Sequence, residues 1–350
     1  MPDIYNGSDF SAAEAGSKGA ILSHRPRVVL LGTGGTIASS ATAATQLHDY
    51  EVTATIDAVL AAVPQVQELA SIRCEQIVNI DSHSIDNRAL LMIAKRVQTV
   101  LEEPDVDGVV LTHGTDTLEE TAYFLNLTLK SDKPVVLVGA MRPATALSAD
   151  GPLNLHSAFR LATCPEARGK GVLVMLNERI MAARDVTKTD TTSTNAFRSS
   201  EQGNLGQVAG GVVQFFNAPT RRHTFATEFL LAHIAELPQV DIVYDHQSAG
   251  MHFYRAALEA GTKGIVLAAT GNGSLSPSAR AGAELAIRHG VMFVRSTRVG
   301  HGVVTASVDD ELLGLVSANS LNPQKARMLL MLALGKQGDY RAVQHCFDRY

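Results

Sequence analysis

The chain has 350 residues, 45% of them hydrophobic and 19% charged, with a formal net charge of −5, and a loose prior of about 150 residues per domain allows two domains. The acidic balance gives no broad attraction for nucleic acid or anionic lipid, and the longest strongly apolar run, Met328 to Leu334, falls far short of the roughly 20 residues a membrane span needs. Three widely spaced cysteines, Cys74, Cys164 and Cys346, suit a reducing compartment better than a disulfide framework.

Residues 1–26 read as a flexible polar tail without periodicity. They lack the basic start and continuous apolar stretch of a secretory signal, so a cytoplasmic location is expected, with the periplasm as the alternative. A repeating scheme then begins: a short β-rich run, a glycine or polar loop, a helical stretch. Arg27 to Leu31 leads into Gly32-Thr33-Gly34-Gly35-Thr36, and Val109 to Leu111 leads into Thr112-His113-Gly114-Thr115-Asp116. Pro134 to Val138 leads into Gly139-Ala140-Met141-Arg142-Pro143, and Val172 to Leu176 into another polar segment. Continuous Val/Leu runs point to strands buried on both faces of a parallel sheet. Asp116 followed by Glu119 predicts a capped helix with Leu118, Leu125 and Leu129 on one stripe.

Farther on, Ile242 to Tyr244, Ile265 to Ala269 and Met292 to Arg295 read as strands. Ser276-Pro277 opens a helix that ends near His289-Gly290, and Asn322-Pro323 opens one that closes at Leu334-Gly335. Residues 215–238 break the rhythm. The expectation is an α/β chain: a larger N-terminal domain (27–214) with a mostly parallel sheet flanked by helices, a connection (215–238), and a smaller α/β domain (239–350) with its own parallel sheet.

In open parallel sheets ligands bind beyond the carboxyl ends of the strands, so the loops after the first strands are where chemistry is expected. Gly32 to Ala38 is neither a dinucleotide fingerprint nor a phosphate loop, because Ile37 stands where a third glycine would be and no Gly-Lys-Ser/Thr follows. Three glycines before Thr36 let backbone N–H groups approach a reacting carbonyl, although a plain tight turn uses glycine equally well. A threonine hydroxyl is a weak nucleophile and needs a base. Lys188, in Arg184 to Thr189, can take that part with Asp116 fixing its position; the plainer alternatives are a solvated lysine and a helix cap. The histidines and cysteines show no metal-ligand spacing, and no cofactor is implied.

Taken together, Thr33 to Ala38, His113 to Thr117, Glu119 to Ala122, Lys133 to Val136, Val138 to Pro143, Ser148 to Pro152, Arg184 to Thr189 and Leu321 to Arg327 resemble the bacterial type II L-asparaginase family. The blocks stand in family order and span nearly everything from residue 27 onward. The resemblance implies hydrolysis of L-asparagine to aspartate and ammonia through an acyl-enzyme on Thr36. It implies that Tyr50 helps deprotonate Thr36, with a spacing one residue longer than the usual pattern. Thr115, Lys188 and Asp116 would form the second catalytic group, and which threonine acts at which step stays open. Ser82 would hold the substrate α-carboxylate and Asp116 the α-ammonium. The Ala140 carbonyl would accept from the leaving amide, with N–H donors near Gly35 and Thr115 facing the oxyanion. Asn272 would reach a neighbouring subunit's site, so a homotetramer with shared sites is implied, acting on a small molecule without nucleic acid or membrane.

Two positions depart from the family pattern. His83 follows the substrate-binding serine where Gln or Glu is usual, and a neutral imidazole nitrogen can accept the same hydrogen bond from an α-ammonium. Ser307 stands where the neighbouring subunit usually supplies a glutamate. Both bear on the choice between asparagine and glutamine, so a glutaminase-asparaginase is the nearest rival reading. An amidotransferase subunit would need a basic RNA-binding surface that the acidic tail does not supply, and a mere binding protein would not need Thr36, Thr115 and Lys188 together.

Overall fold

The computed structural model describes residues 25–46, 51–199, 201–336 and 338–350; nearly all of the expected N-terminal tail, and Tyr50, lie outside the described residues. Where the sequence runs continuously apolar, strands form that are buried from end to end: Gly108–Thr112, Val135–Val138 and Val172–Leu176. Burial along every residue means that both faces are covered.

The large sheet has eight strands. From one edge they run Ser71–Gln76, Arg27–Gly32, Gly108–Thr112, Val135–Val138, Val172–Leu176, Arg179–Ala182, Gly206–Ala209 and Val212–Phe215. Pairing is parallel from Ser71–Gln76 to Val172–Leu176 and antiparallel beyond it. Alternate residues of one strand serve opposite faces. Val29 and Leu31 join the core with helices Asn87–Glu102 and Leu118–Thr128, whereas Val28 and Leu30 join the core with Gly151–Ala162 and Ile56–Ala61.

A second sheet, all parallel, runs Val240–Tyr244, Gly264–Ala269, Met292–Thr297 and Val316–Ser317. Helices His252–Glu259 and Pro277–Arg288 cover one face, and Pro323–Ala333 covers the other. The Pro323–Ala333 helix also packs against Leu118–Thr128, so one apolar core runs from Val29 and Leu111 through to Val266 and Val294. Between the sheets the chain makes short turns at Thr224–Ala226 and Leu231–His233. Lys130 Nζ ties the first of these back, donating to the Thr224 and Thr227 carbonyls at 3.0 and 2.9 Å.

Of the three helix starts read from the sequence, two follow local chemistry and one is an exception. Ser276 accepts from the Ala279 N–H and Asn322 from the Lys325 N–H, each followed by proline at the first helical position. The exception is Asp116. The helix begins at Leu118, Thr117 occupies the cap position without a side-chain cap bond, and the Asp116 carboxylate pairs with Lys188 at 2.7 Å. The expected Asp116–Glu119 capping box is therefore absent, because both carboxylates serve cations brought from distant sequence.

One helical glycine separates local propensity from packing. A Cβ on Gly282 would stand 2.5–2.7 Å from the ring of Tyr254, which is fully buried. Glycine to alanine in an open helix gains roughly 1 kcal/mol, but here overpacking of roughly 1–3 kcal/mol dominates. Gly282→Ala is expected to lower the melting temperature; a rise on thermal unfolding would show that the Tyr254 contact yields freely.

Candidate active site

Four neighbouring parallel strands, Ser71–Gln76, Arg27–Gly32, Gly108–Thr112 and Val135–Val138, end on the same side of the large sheet. The loops that leave those ends carry Ser82, Thr36, Thr115 and Ala140. Neighbouring strands are about 4.8 Å apart, so loops from adjacent ends meet by necessity. Backbone bonds knit them: Thr33 N–H and Oγ1 both donate to the Thr112 carbonyl, at 3.2 and 2.8 Å, and the Ile80 N–H donates to the Thr33 carbonyl at 3.1 Å.

Glycine makes the approach tighter than any side chain allows. Gly35 has φ +81°, and a Cβ there would lie 2.3 Å from the Gly114 Cα. A Cβ on Gly114 would in turn lie 2.7 Å from Ser82 Oγ. The residues that follow these glycines, Thr36 and Thr115, are both buried, as is Ser82. Thr36 opens a short 3-10 turn, Thr36–Ala38. Ser82 Oγ accepts from the Asp116 N–H at 3.2 Å, and its carbonyl accepts from Thr117 Oγ1 at 2.9 Å. The structure thus brings Gly35, Thr36, Ser82, Thr115 and Asp116 onto adjoining loops.

Lys188 joins them from a two-residue strand, Thr187–Lys188, paired antiparallel with Phe197–Arg198. Its Nζ lies 2.9 Å from Thr115 Oγ1 and 2.7 Å from Asp116 Oδ1. That is proton-exchange distance to a hydroxyl and ion-pair distance to a carboxylate. The Asp116 side chain is 59% exposed, so its oxygens are accessible to a cationic ligand group as well.

Ala140 is fully buried next to this group, since Gly139 packs on the His113 carbonyl and Thr115 Cγ2. Its loop is held by Asp150, whose carboxylate accepts from the Met141 and Arg142 N–H groups, each at 3.0 Å. His83 sits exposed on the Ser82–Ser84 turn. Among the described residues, Asn272 bonds to the second domain rather than to the cluster. It lies exposed in the second domain, exchanging two bonds with Thr305 at 2.8 and 2.9 Å. Ser307 caps the Val308–Leu313 helix in a capping box with Asp310. Among the described residues, no three His, Cys, Asp or Glu side chains group so as to hold a metal ion.

Two residues have surroundings that the local sequence pattern does not announce. The first is His113, fully buried, with its ring Nδ1 2.7 Å from the Gly114 carbonyl; the carbonyl can only accept, so Nδ1 carries the proton. Burial pushes the imidazole down to about 4, against a smaller opposing effect of that bond. The second is a buried carboxylate, Glu119. It accepts from Thr187 Oγ1 at 2.6 Å, Asn322 Nδ2 at 3.0 Å and Gln324 Nε2 at 3.0 Å, with Lys325 Nζ at 3.3 Å. Burial alone would raise its pKa, but the Lys325 ammonium and these donors outweigh burial and hold it below the usual carboxylate range. The Leu321 to Arg327 block was legible as a motif, but its partner was not.

Known proteins share this organisation. A family described as "Asparaginase, N-terminal" matches residues 27–221, and one described as "Glutaminase/Asparaginase C-terminal domain" matches 239–347. The chain is 53% identical to the L-asparaginase 2 of Bacillus subtilis, over 93% of this chain and 87% of that protein. It is 45% identical to the glutaminase-asparaginase of Acinetobacter glutaminasificans, over 92% and 99%. A solved structure, titled "Crystal Structure of Probable Cytoplasmic L-asparaginase from Campylobacter jejuni", superposes with a TM-score of 0.91 at 46% identity, covering 93% of this chain and 100% of that one.

His113 gives the site a pH limit. Its folded value of about 4 lies below the ordinary histidine value, so between about pH 6.5 and pH 4 only the unfolded chain takes up this proton. Stability from this group is fully present above that window and declines as pH falls through it, by roughly 3 kcal/mol in all. His113→Asn is expected to flatten that part of the acid-side loss in denaturant unfolding at pH 7, 5.5 and 4.5. An unchanged difference between those pH values would remove His113 as the cause.

Proposed function

The chain belongs to the asparaginase family, and on that premise we propose that it hydrolyses L-asparagine to L-aspartate and ammonia by nucleophilic attack of a threonine hydroxyl. The observation that carries the reading is Lys188 bridging Thr115 Oγ1 and Asp116 Oδ1, beside a glycine loop that presents Thr36. Lys188, oriented by Asp116, serves as the base of the second group, drawing on the Thr115 hydroxyl proton to activate that threonine or the hydrolytic water. Thr36 Oγ1 adds to the side-chain amide carbon, helped by Tyr50. Backbone N–H groups near Gly35 and Thr115 face the oxyanion. The Thr36 hydroxyl proton passes by way of Tyr50 to the amide nitrogen, ammonia leaves next to the Ala140 carbonyl, and water then cleaves the acyl-threonine ester, returning the Thr36 hydroxyl. Ser82 holds the α-carboxylate, and Asp116, with His83, holds the α-ammonium. The chemistry draws on no cofactor.

We place the enzyme in the cytoplasm as a homotetramer, with Asn272 completing the site of a second copy. Its attachment to Thr305 rather than to its own chain's cluster supports that division. A second reading, glutaminase-asparaginase, is favoured by Ser307, a short side chain committed to a helix cap. It leaves more length for the substrate.

Thr36→Ala and Thr115→Val are each expected to reduce ammonia release by several orders of magnitude in a folded protein, because residues that act as a unit rarely lose activity partially. Near-parent kcat in both variants would sink the mechanism. The ratio of kcat/KM for L-asparagine to that for L-glutamine decides between the two readings. Mixing inactive Thr36→Ala chains with inactive Asn272→Ala chains is expected to restore activity in hybrid oligomers. A fully active monomer by light scattering would refute site sharing.

A further inference from the structure

Lys188 does not belong to the eight-stranded sheet. It stands on a strand of two residues, and so short an element needs support from elsewhere. Side chains alternate along a strand, and here Lys188 faces Thr115 and Asp116 while Thr187 faces Glu119. Thr187 Oγ1 donates to Glu119 Oε2 at 2.6 Å. The C-terminal domain closes around that bond. Asn322 Nδ2 reaches Glu119 at 3.0 Å and Thr187 Oγ1 at 3.1 Å, Gln324 Nε2 reaches the other carboxylate oxygen at 3.0 Å, and Lys325 Nζ lies 3.3 Å from Oε2. Lys325 also donates to the Val186 carbonyl, the residue before Thr187. Glu119 and Lys325 are both buried, so each needs the other: a lone charge at this depth would be strongly unfavourable.

We propose that Thr187, Glu119 and Lys325 are positioning residues for the reaction. Through Lys325, Asn322 and Gln324 the second domain clamps Glu119, Glu119 holds Thr187, and the pinned strand presents Lys188 to Thr115. The second domain therefore contributes to its own chain's site, through the base, as well as to a neighbour's. The inference rests on Lys188 acting as the base. A displacement of about 1 Å in a catalytic group costs on the order of 100-fold in rate, so these bonds should be read in kcat rather than in substrate affinity.

The test uses the full-length oligomer. Thr187→Val removes the hydroxyl at constant shape, and kcat for L-asparagine is expected to fall roughly 10- to 100-fold with KM within about 3-fold. Thr187→Ser restores the hydroxyl and is expected to recover kcat to within about 3-fold of the parent. Lys325→Met alone strands a buried carboxylate and risks unfolding. The double variant Glu119→Gln, Lys325→Met removes both charges together and is expected to fold with the same kcat-selective loss; should it unfold, the Thr187 pair decides. Lys188→Met is measured alongside. Parent kcat in Thr187→Val with an inactive Lys188→Met overturns the positioning role and leaves the base intact. So does a loss in Thr187→Val that Thr187→Ser fails to recover. Parent kcat in Lys188→Met removes the base itself and the proposal with it.

Discussion

The site depends first on how closely Gly35 and Gly114 approach. Parallel strands deliver their loops side by side at about 4.8 Å, and ordinary side chains would hold those loops apart. With 2.3 Å between a notional Gly35 Cβ and the Gly114 Cα, only glycine closes the gap. Gly34 is under the same pressure, since a Cβ there would lie 2.6 Å from the Ile80 backbone. Three loops thus interlock through main chain, and the hydroxyls of Thr36 and Thr115 follow directly after the contact. Because glycine also supplies the positive φ of Gly34 and Gly35, one residue type meets both the steric and the conformational demand.

What the main chain cannot supply is charge, and the molecule brings it in through buried ion pairs. Glu119 with Lys325 stands behind the strand that carries Lys188. Arg295 with Asp310 does the same in the second domain, where both guanidinium contacts to the carboxylate are 2.6 Å. Arg295 also donates to the Gly273 carbonyl at 2.8 Å and the Thr305 carbonyl at 3.0 Å, fixing the two segments that embrace Asn272. Neither pair is an efficient source of stability, given the desolvation of both charges. Each also makes hydrogen bonds to neighbouring loops, Lys325 to the Val186 carbonyl and Arg295 to the Gly273 and Thr305 carbonyls. Their role is to fix loop geometry.

The strands and most helix starts were legible because their causes are local. An apolar run longer than an alternating pattern admits only a doubly covered strand, and Ser276-Pro277 and Asn322-Pro323 carry their own caps. Thr36, Thr115 and Lys188 were legible as residue types in recurring blocks; the large sheet places the Thr36 and Thr115 loops side by side, and the separate Thr187–Lys188 strand brings Lys188 to Thr115. Asp116 and Glu119 were misread as a capping box for a physical reason. A carboxylate early in a helix is equally able to accept from local N–H groups or from a cation, and Lys188 and Lys325 lie 72 and 206 residues away from them. The state of His113 was silent for the same reason: its neutrality comes from burial, which no neighbour in sequence announces.

Ser307 shows how a departure at a site can have a local explanation. Its Oγ accepts from the Asp309 N–H at 3.3 Å, and its own N–H donates to Asp310 Oδ2 at 2.8 Å. A serine in that place stabilises the helix start by about 0.5–2 kcal/mol relative to a residue that cannot cap, and glutamate is a poorer cap because its longer chain must fold back. Asp310 is already held by Arg295, so the cap and the Arg295 anchor reinforce each other at one carboxylate. The residue therefore contributes to the rigidity of the Val308–Leu313 helix start, at the cost of the reach a longer side chain would have. On the proposed reading, selectivity between a shorter and a longer amide would fall to the Ser82 turn with His83, the Asp116 carboxylate, and the backbone around Gly35 and Gly114.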